Sequence, residues 1–233
     1  LHISPSHQFP TGIVMPVSRR YELLRWAKEK SSRYIIEDDY DCEFRLYGRP
    51  IPPLQSIDSA EKVIYINTFS KTLAPTFRIS YMVLPAHLAS LFYEKLGFYS
   101  CTVSNFEQFT LAKFIEDGYF ERHINRMRTY YRTKRDRLLH YLATCKAAPA
   151  LTVEGENSGL HFLLHLATQA SDTTLTQAAL AQGIQIKFLS DYYHDKTSDC
   201  SHTLLMNYTG LPDDELYPAL DTLFSALEPY LEL

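Results

Sequence analysis

Short apolar runs and amphipathic stretches alternate along the first third of the chain. Apolar positions recur at helical spacing in VSRRYELLRWAKEKS, which predicts an amphipathic helix. The runs YIIEDDYD and KVIYINTF are rich in β-branched and aromatic residues, which favours buried strands, and LHIS and ISYMVLP are further strand candidates. The order helix, strand, loop, strand is typical of an α/β protein built on a parallel sheet.

The pattern changes in the rest of the chain. A helical region is predicted from about Ala86 to Leu142, and its last part places a row of apolar residues on one face: Phe120, Ile124, Met127, Tyr131, Leu138 and Leu142. The segment CKAAPALTVEGENSG is typical of a linker, after which LHFLLHLA, GIQIKFL and HTLLMNYTGL predict strands and TTLTQAALAQ a helix. A closing helix is predicted from the cluster Pro212, Asp213 and Asp214. We therefore predict one domain at residues 1–142, including a long connecting helix, and a smaller α+β domain at 143–233.

Composition and charge exclude several classes of function. The chain has 233 residues, 45% hydrophobic and 21% charged, which is ordinary for a globular protein, and its formal net charge of −4 does not predict nucleic-acid binding by the chain as a whole. The four cysteines form no CxxC pair, so we expect reduced thiols in a cytoplasmic protein. No apolar run approaches the roughly 20 residues of a membrane helix, so no membrane partner is expected.

Basic and metal-ligating side chains give weaker signals. The long helix carries a basic run: Arg122, Arg126, Arg128, Arg132, Lys134, Arg135 and Arg137. Because these charges are spread around a helix whose apolar face is used for packing, we interpret them as a solvated or domain-contact face, with a nucleic-acid patch as the alternative. The histidines His161, His165, His194 and His202 lack a metal-like grouping and are interpreted as structural. EDDYD could suit magnesium, but no glycine-rich phosphate loop accompanies it, and we predict no metal site.

Polar side chains follow two of the predicted strands. The first strand ends in Asp38, Asp39 and Tyr40, and the second ends in Thr68, Ser70 and Lys71. The carboxyl ends of parallel strands meet at the edge where open α/β proteins bind ligands. Because side chains alternate along a strand, Asp38 and Tyr40 are expected on one face and Asp39 on the other. We predict that a carboxylate, a phenol and a buried Lys71 amine converge there, with Lys71 facing Asp38.

One cofactor requires this set of groups. Pyridoxal 5'-phosphate needs an amine that forms a Schiff base, an acid at the pyridine nitrogen, a donor at the ring oxygen and a phosphate cradle. Lys71 would supply the amine and is the predicted catalytic residue, Asp38 would hold the ring nitrogen protonated, and Tyr40 would hydrogen-bond the ring oxygen. The predicted phosphate ligands are the hydroxyls of Thr68 and Ser70 and the planar guanidinium of Arg78.

Four segments resemble a known family: SPSHQFPTG, IIEDDYDCEF, LQSID and NTFSKTLAPTFRISYMVLP. They are similar to the aminotransferase-like domain of the MocR/GabR family, in the fold type I pyridoxal-phosphate superfamily, whose fold is that of aspartate aminotransferase. The resemblance implies the later part of the large domain followed by the small domain. It also implies the same roles for Lys71, Asp38, Tyr40 and Arg78, and a homodimer.

In such proteins a winged helix-turn-helix that binds DNA precedes a domain that senses an amine, an amino acid or the cofactor. We expect this chain to be a fragment without that DNA-binding domain, so that any contact with DNA is made by the missing part. The chain departs from the pattern at Phe9, where ordinary aminotransferases have asparagine, and at Asp191, near which relatives often carry a carboxylate-binding arginine. The leading hypothesis is an effector-sensing domain, and the alternatives are a working aminotransferase and an interaction module without cofactor.

Overall fold

The computed structural model describes residues 1–46, 48, 51–157, 159–194 and 200–233. The chain forms two compact units: unit 1 contains residues 1–9 and 13–128, and unit 2 contains residues 10–12 and 129–233. None of the described helices combines the length and the apolar composition that crossing a bilayer requires.

Unit 1 is built on a four-stranded sheet. Its strands are β1 (His2–Ile3), β2 (Ile35–Asp38), β3 (Val63–Thr68) and β4 (Ser80–Val83), in that spatial order. The first three strands are parallel, which confirms that β2 and β3 are parallel neighbours. Strand β4 is antiparallel to β3, because the connection at residues 69–79 returns without the helical crossover that a parallel pair needs.

The helices of unit 1 start with α1 (Val17–Lys28) and the single-turn α2 (Leu54–Ile57). Both pack on one face of the sheet, where Ala27, Ile35, Leu54 and Val63 form a buried apolar cluster. The predicted helical region from residue 86 divides into three helices, which are α3 (Ala86–Leu96), α4 (Asn105–Glu116) and α5 (Tyr119–Thr144). Gly118 separates the last two because its φ of +70° is a left-handed conformation that ends a helix.

Unit 2 has an antiparallel sheet of β5 (Leu151–Glu154), β6 (His161–Leu166) and β7 (Thr203–Asn207), with helices α6 (Asp172–Ala181) and α7 (Asp213–Leu227). Helix α7 begins at the predicted acidic cluster. Strand β5 lies within the segment predicted to be a linker, so that interpretation was wrong there. Its Leu151 and Val153 pack on the core because each alternates with a polar residue.

The predicted strand GIQIKFL is not one. Ile184 and Ile186 pack on the apolar core of unit 2, and Phe188 forms only an isolated bridge with Leu204. The alternation of apolar residues therefore belongs to an extended segment. Its side chains pack on the core, but its main chain does not form the repeated hydrogen bonds of a strand. The predicted apolar face of α5 is confirmed in both halves of the helix, because Ile124, Leu138 and Leu142 are buried.

Two members of the basic run in α5 are buried, which corrects the interpretation of a solvated face. Lys134 and Arg135 are each 2% exposed. The Lys134 ammonium pairs with Asp213 at 3.0 Å, and the Arg135 guanidinium contacts Asp136 at 2.6 Å and the carbonyl of Glu156 at 3.4 Å. Because their charged groups bond to acceptors within unit 2, these two side chains are buried there. The predicted domain boundary after residue 142 falls within α5 and remains a prediction.

Candidate functional site

The carboxyl ends of β2 and β3 lie side by side in unit 1. Asp38 is in register with Ile66, two residues before Thr68, so these three side chains belong to the same face of the sheet. Asp38 is half-buried, and its Oδ2 lies 3.4 Å from Nε2 of His2. Asp39 is buried and accepts a hydrogen bond from the hydroxyl of Tyr65 at 3.1 Å. Asp38 and Asp39 thus take the opposite faces that alternation predicts.

Tyr40 lies two residues after Asp38 and is hydrogen-bonded to the loop that contains SPSHQFPTG. Its hydroxyl donates to the main-chain oxygen of His7 at 3.1 Å. Burial raises the pKa of Tyr40, and the charges of Asp41 and Asp38 raise it further, so the phenol keeps its proton. The His7 ring in turn bonds Asp41 at 2.9 Å, and both of these side chains are almost fully buried. Tyr40 is therefore a protonated donor held in a fixed place.

The buried side chain of Arg20 also holds the loop that contains SPSHQFPTG. The sequence interpretation missed this role. The guanidinium of Arg20 is fully buried and donates to the main-chain oxygens of Pro5 (2.9 Å), Met15 (3.2 Å) and Pro52 (2.8 Å). Burial lowers the pKa of Arg20, while the carboxylate of Glu37 opposes that shift. The signal was present in the spacing, because residue 20 lies seven positions before the buried Ala27 on the apolar stripe of α1.

The three predicted phosphate ligands are brought together at the end of β3. Ser70 donates its hydroxyl to the carbonyl of Phe77 at 2.7 Å, and its main-chain N–H donates to Oγ1 of Thr68 at 3.2 Å. Nη1 of Arg78 lies 3.4 Å from Oγ of Ser70. Two hydroxyls and an exposed guanidinium therefore form one cluster at the end of the strand.

Lys71 lies in the turn at residues 69–73 that immediately follows β3. The N–H of Leu73 donates to the carbonyl of Phe69 at 2.9 Å, and the buried Thr72 donates its hydroxyl to the same oxygen at 3.3 Å. Lys71 itself is exposed, so the prediction of a buried amine facing Asp38 was wrong about its burial. Successive side chains in a turn point in different directions, and here Thr72 takes the buried one. Within the described residues, the Lys71 amine has no hydrogen bond or ion pair.

A buried polar network lies on the face of the sheet opposite to Asp38 and Thr68. The side chain of Asn67 donates to Tyr65 at 3.1 Å and to Oε1 of Glu43 at 3.2 Å. Burial raises the pKa of Glu43 and of the Cys42 thiol. Oδ1 of Asp39 and Oε2 of Glu43 are buried without a partner among the described residues. Sequence reasoning missed this network, although an asparagine within the apolar run KVIYINTF was a signal of it.

The remaining candidate residues have local structural roles. Asp191 accepts a hydrogen bond from the N–H of Phe188 at 3.2 Å and so caps a short helical turn, while Phe9 is 44% exposed. His165 pairs with Glu154 at 2.6 Å, in keeping with the structural role predicted for it. In the described parts of the chain, His, Cys, Asp and Glu side chains do not group as three metal ligands. The four cysteines all lie among the described residues, and none of them forms a disulfide bond.

Comparison with known proteins gives matches over most of the chain. The chain is 41% identical to the uncharacterized HTH-type transcriptional regulator YhdI of Bacillus subtilis, over 99% of this chain and 48% of that protein. It is 33% identical to the probable rhizopine catabolism regulatory protein MocR of Rhizobium meliloti, over 97% of this chain and 45% of that protein. The chain thus spans about half the length of these curated relatives, and the resemblance to MocR-type regulators is confirmed.

A solved structure identifies the fold. The chain matches Pyrococcus horikoshii kynurenine aminotransferase with a TM-score of 0.80 and 26% identity, over 98% of this chain and 55% of that one. The predicted fold type I architecture is therefore confirmed. The model of the family described as aminotransferase class I and II matches residues 2–197, and the chain belongs to that family.

Proposed function

We propose that this chain is the cofactor-binding, effector-sensing part of a MocR-type transcriptional regulator. The similarity to YhdI and MocR over nearly the whole chain supports a regulator rather than a free-standing enzyme. Contact with DNA would be made by a winged helix-turn-helix elsewhere in the full-length protein. This chain would then report the presence of a small amine or amino acid.

One observation carries the proposal that pyridoxal 5'-phosphate is the cofactor. Ser70 and Arg78 meet beside Lys71 at the end of β3, while the parallel neighbour β2 ends in Asp38. A hydroxyl–guanidinium cluster suits a phosphate dianion. The amine of the adjacent residue Lys71, which has no hydrogen bond or ion pair within the described residues, suits an aldehyde. The donor set on the described residues therefore fits this cofactor.

Each residue has a distinct role in the proposal. Asp38 would pair with the protonated ring nitrogen, and the proton that Tyr40 retains would serve the ring oxygen. Thr68, Ser70 and Arg78 would hold the phosphate. Lys71 would supply the amine for covalent attachment. When bound, the cofactor supplies an aldehyde and an electron-accepting ring.

Sensing follows from competition for that aldehyde. A primary amine effector and the Lys71 amine are chemically alike, so an effector bound at the site would compete with Lys71 for the aldehyde. The effector shifts the protein between two states only if it binds one of them more tightly. The turn at residues 69–73 is the segment whose surroundings would change when Lys71 is released.

The test is attachment of pyridoxal phosphate to the full-length protein. We expect borohydride reduction to fix the cofactor on Lys71, as read by peptide mass spectrometry, and Lys71→Ala to abolish the modification. Lys113→Ala is the matched control, since Lys113 on α4 is also an exposed lysine but pairs with Asp117, the residue after that helix. Protein that stays unmodified at Lys71 would instead favour an interaction module without cofactor.

Aminotransferase activity is the second candidate function. The 26% identity to a kynurenine aminotransferase with the same fold favours it. In that case Lys71 would move a proton on and off the substrate carbon in each half-reaction. Incubation with a panel of amino acids and 2-oxo acids decides the matter, because turnover yields a new amino acid, whereas sensing alone changes only the cofactor spectrum and DNA affinity.

We also propose that the protein is a cytoplasmic homodimer. Helices α3 and α4 and the segment between them expose a set of large apolar side chains, among them Tyr93, Phe98, Phe106 and Phe109. Exposed apolar surface of this kind favours association. Sedimentation of the full-length protein measures the state directly, and a monomer at micromolar concentration would refute this part of the proposal.

A further inference from the structure

The position of the Lys71 amine depends on the main chain of its turn. The side chain has no hydrogen bond or ion pair within the described residues, and it is a flexible four-carbon stem. The backbone of residues 69–73 therefore decides which points the amine can reach. Anything that fixes this turn also fixes the amine.

The turn is held on both sides of Lys71. On one side, Ser70 is bonded to the carbonyl of Phe77 at 2.7 Å. On the other side, Nε2 of His123 lies 2.9 Å from the carbonyl oxygen of Thr72. Because a carbonyl oxygen only accepts, the His123 ring must carry its proton on Nε2. A residue of α5, 51 positions further along the chain, thus ties down the neighbour of Lys71.

A second contact links the same helix to the same turn. The ring of Phe120 meets the ring of Phe69 edge to face, with centroids 5.8 Å apart. Phe120 and His123 are three residues apart and so lie on one face of α5. The first turns of α5 therefore clamp both the start of the turn, at Phe69, and the residue after the lysine.

We propose that His123 is a positioning residue for Lys71, and that it sets how readily the amine attaches pyridoxal phosphate. This inference rests on the proposed function. In attachment, the neutral amine of Lys71 forms a bond to the aldehyde carbon and loses its two protons. The aldehyde oxygen takes those protons and leaves as water, so no oxidant or reductant is needed. His123 touches none of the reacting atoms and acts through Thr72.

The experiment separates attachment from simple binding in the full-length protein. Attachment is measured as the fraction of Lys71 that borohydride fixes at increasing pyridoxal phosphate. Simple binding is measured by calorimetry with pyridoxine 5'-phosphate, which has the ring and phosphate but no aldehyde. The variants are His123→Ala, His123→Asn and His123→Gln, with His140→Ala as control, because His140 is an exposed histidine of the same helix.

We expect His123→Ala to need about tenfold more pyridoxal phosphate for half-attachment, the effect of losing one hydrogen bond. Affinity for pyridoxine 5'-phosphate should stay within about twofold. His123→Gln should restore attachment because its amide nitrogen can reach the carbonyl of Thr72, whereas the shorter asparagine should not. His140→Ala should match the unsubstituted protein.

Two results would overturn the inference while leaving the proposed function intact. One is unchanged attachment in His123→Ala, or in His123→Asn if the alanine variant does not fold. The other is an equal loss of pyridoxal phosphate attachment and of affinity for pyridoxine 5'-phosphate, which would mean that His123 only supports the fold. Failure of the unsubstituted protein to attach the cofactor would reject the proposed function itself, and the inference with it.

Discussion

The interiors of the two units differ in the forces that order them. Unit 2 contains a large cluster of buried apolar side chains from α5, α6, α7, β6 and β7, including Phe162, Leu164, Leu175, Leu204 and Leu220. Unit 1 has a small apolar cluster on one face of its sheet and a set of buried polar side chains, among them His7, Arg20, Glu37, Asp41 and Asn67. Apolar burial supplies most of the stability in unit 2, whereas directional hydrogen bonds fix the geometry of unit 1.

The difference coincides with the placement of the candidate site. Hydrogen bonds specify distance and angle, which apolar packing alone does not, and a site needs its groups held closely. Arg20 and His7 hold the loop beside Tyr40, and His123 holds the turn beside Lys71. The buried polar groups of unit 1 thus lie beside the candidate site, where the positions of Tyr40 and Lys71 must be fixed. We therefore expect the two units to respond differently to substitution.

The largest expected effect is loss of apolar volume in unit 2. Leu164 is fully buried in the central strand β6, and Leu164→Ala should lower the free energy of unfolding by about 3 to 4 kcal/mol, from lost burial and the cavity left behind. Urea unfolding measures the change. The control Leu180→Ala, at a 61% exposed position on α6, should change stability by less than about 0.5 kcal/mol. Equal effects at the two leucines would contradict the description of this core.

The next effect is the loss of a buried guanidinium in unit 1. Arg20→Leu should lower the free energy of unfolding by about 3 kcal/mol, because three main-chain carbonyls lose their donor while the apolar volume is largely kept. Arg19→Leu is the neighbouring control, since Arg19 is exposed and forms a surface ion pair with Glu22. If the leucine at position 20 were tolerated as well as the one at 19, polar bonding would not be what orders this unit.

The smallest expected effect is an increase in the free energy of unfolding, on replacing Glu43. Burial raises the pKa of Glu43 above its ordinary value of 4.5, so the folded state binds this proton more tightly than the unfolded state does. The resulting stabilisation is complete below pH 4.5 and is lost as the pH rises through the raised pKa. Glu43→Gln cannot ionise and should be more stable at pH 7 by about 1 kcal/mol.

Thermal unfolding of Glu43→Gln from pH 4 to 8 measures this difference. The advantage of the glutamine variant should grow with pH and vanish at the acidic end. Glu94→Gln, at a 66% exposed position, is the control and should show no such trend. A glutamine variant that is less stable at every pH would show that the carboxylate stabilises the network.

Local pattern was enough to find most of the elements and the candidate site. The apolar runs predicted β2, β3 and β6, and the proline–acid cluster predicted the start of α7. Alternation along β2 placed Asp38 and Asp39 on opposite faces, because the two-residue period of a strand is a property of the backbone. The spacing from Thr68 to Arg78 brought the predicted phosphate ligands into one short loop.

Sequence by itself determined the family, the order of the elements and the cluster of reactive side chains at the end of β3, since these follow from local periodicity and from motifs within one segment. Only the tertiary structure decided that Lys71 is exposed, that Lys134 and Arg135 are buried, and that His123 bonds the carbonyl of Thr72. These outcomes depend on contacts between residues distant in the chain. Burial of a charged group is settled by whether such partners supply acceptors for it, and one segment read alone does not contain that information.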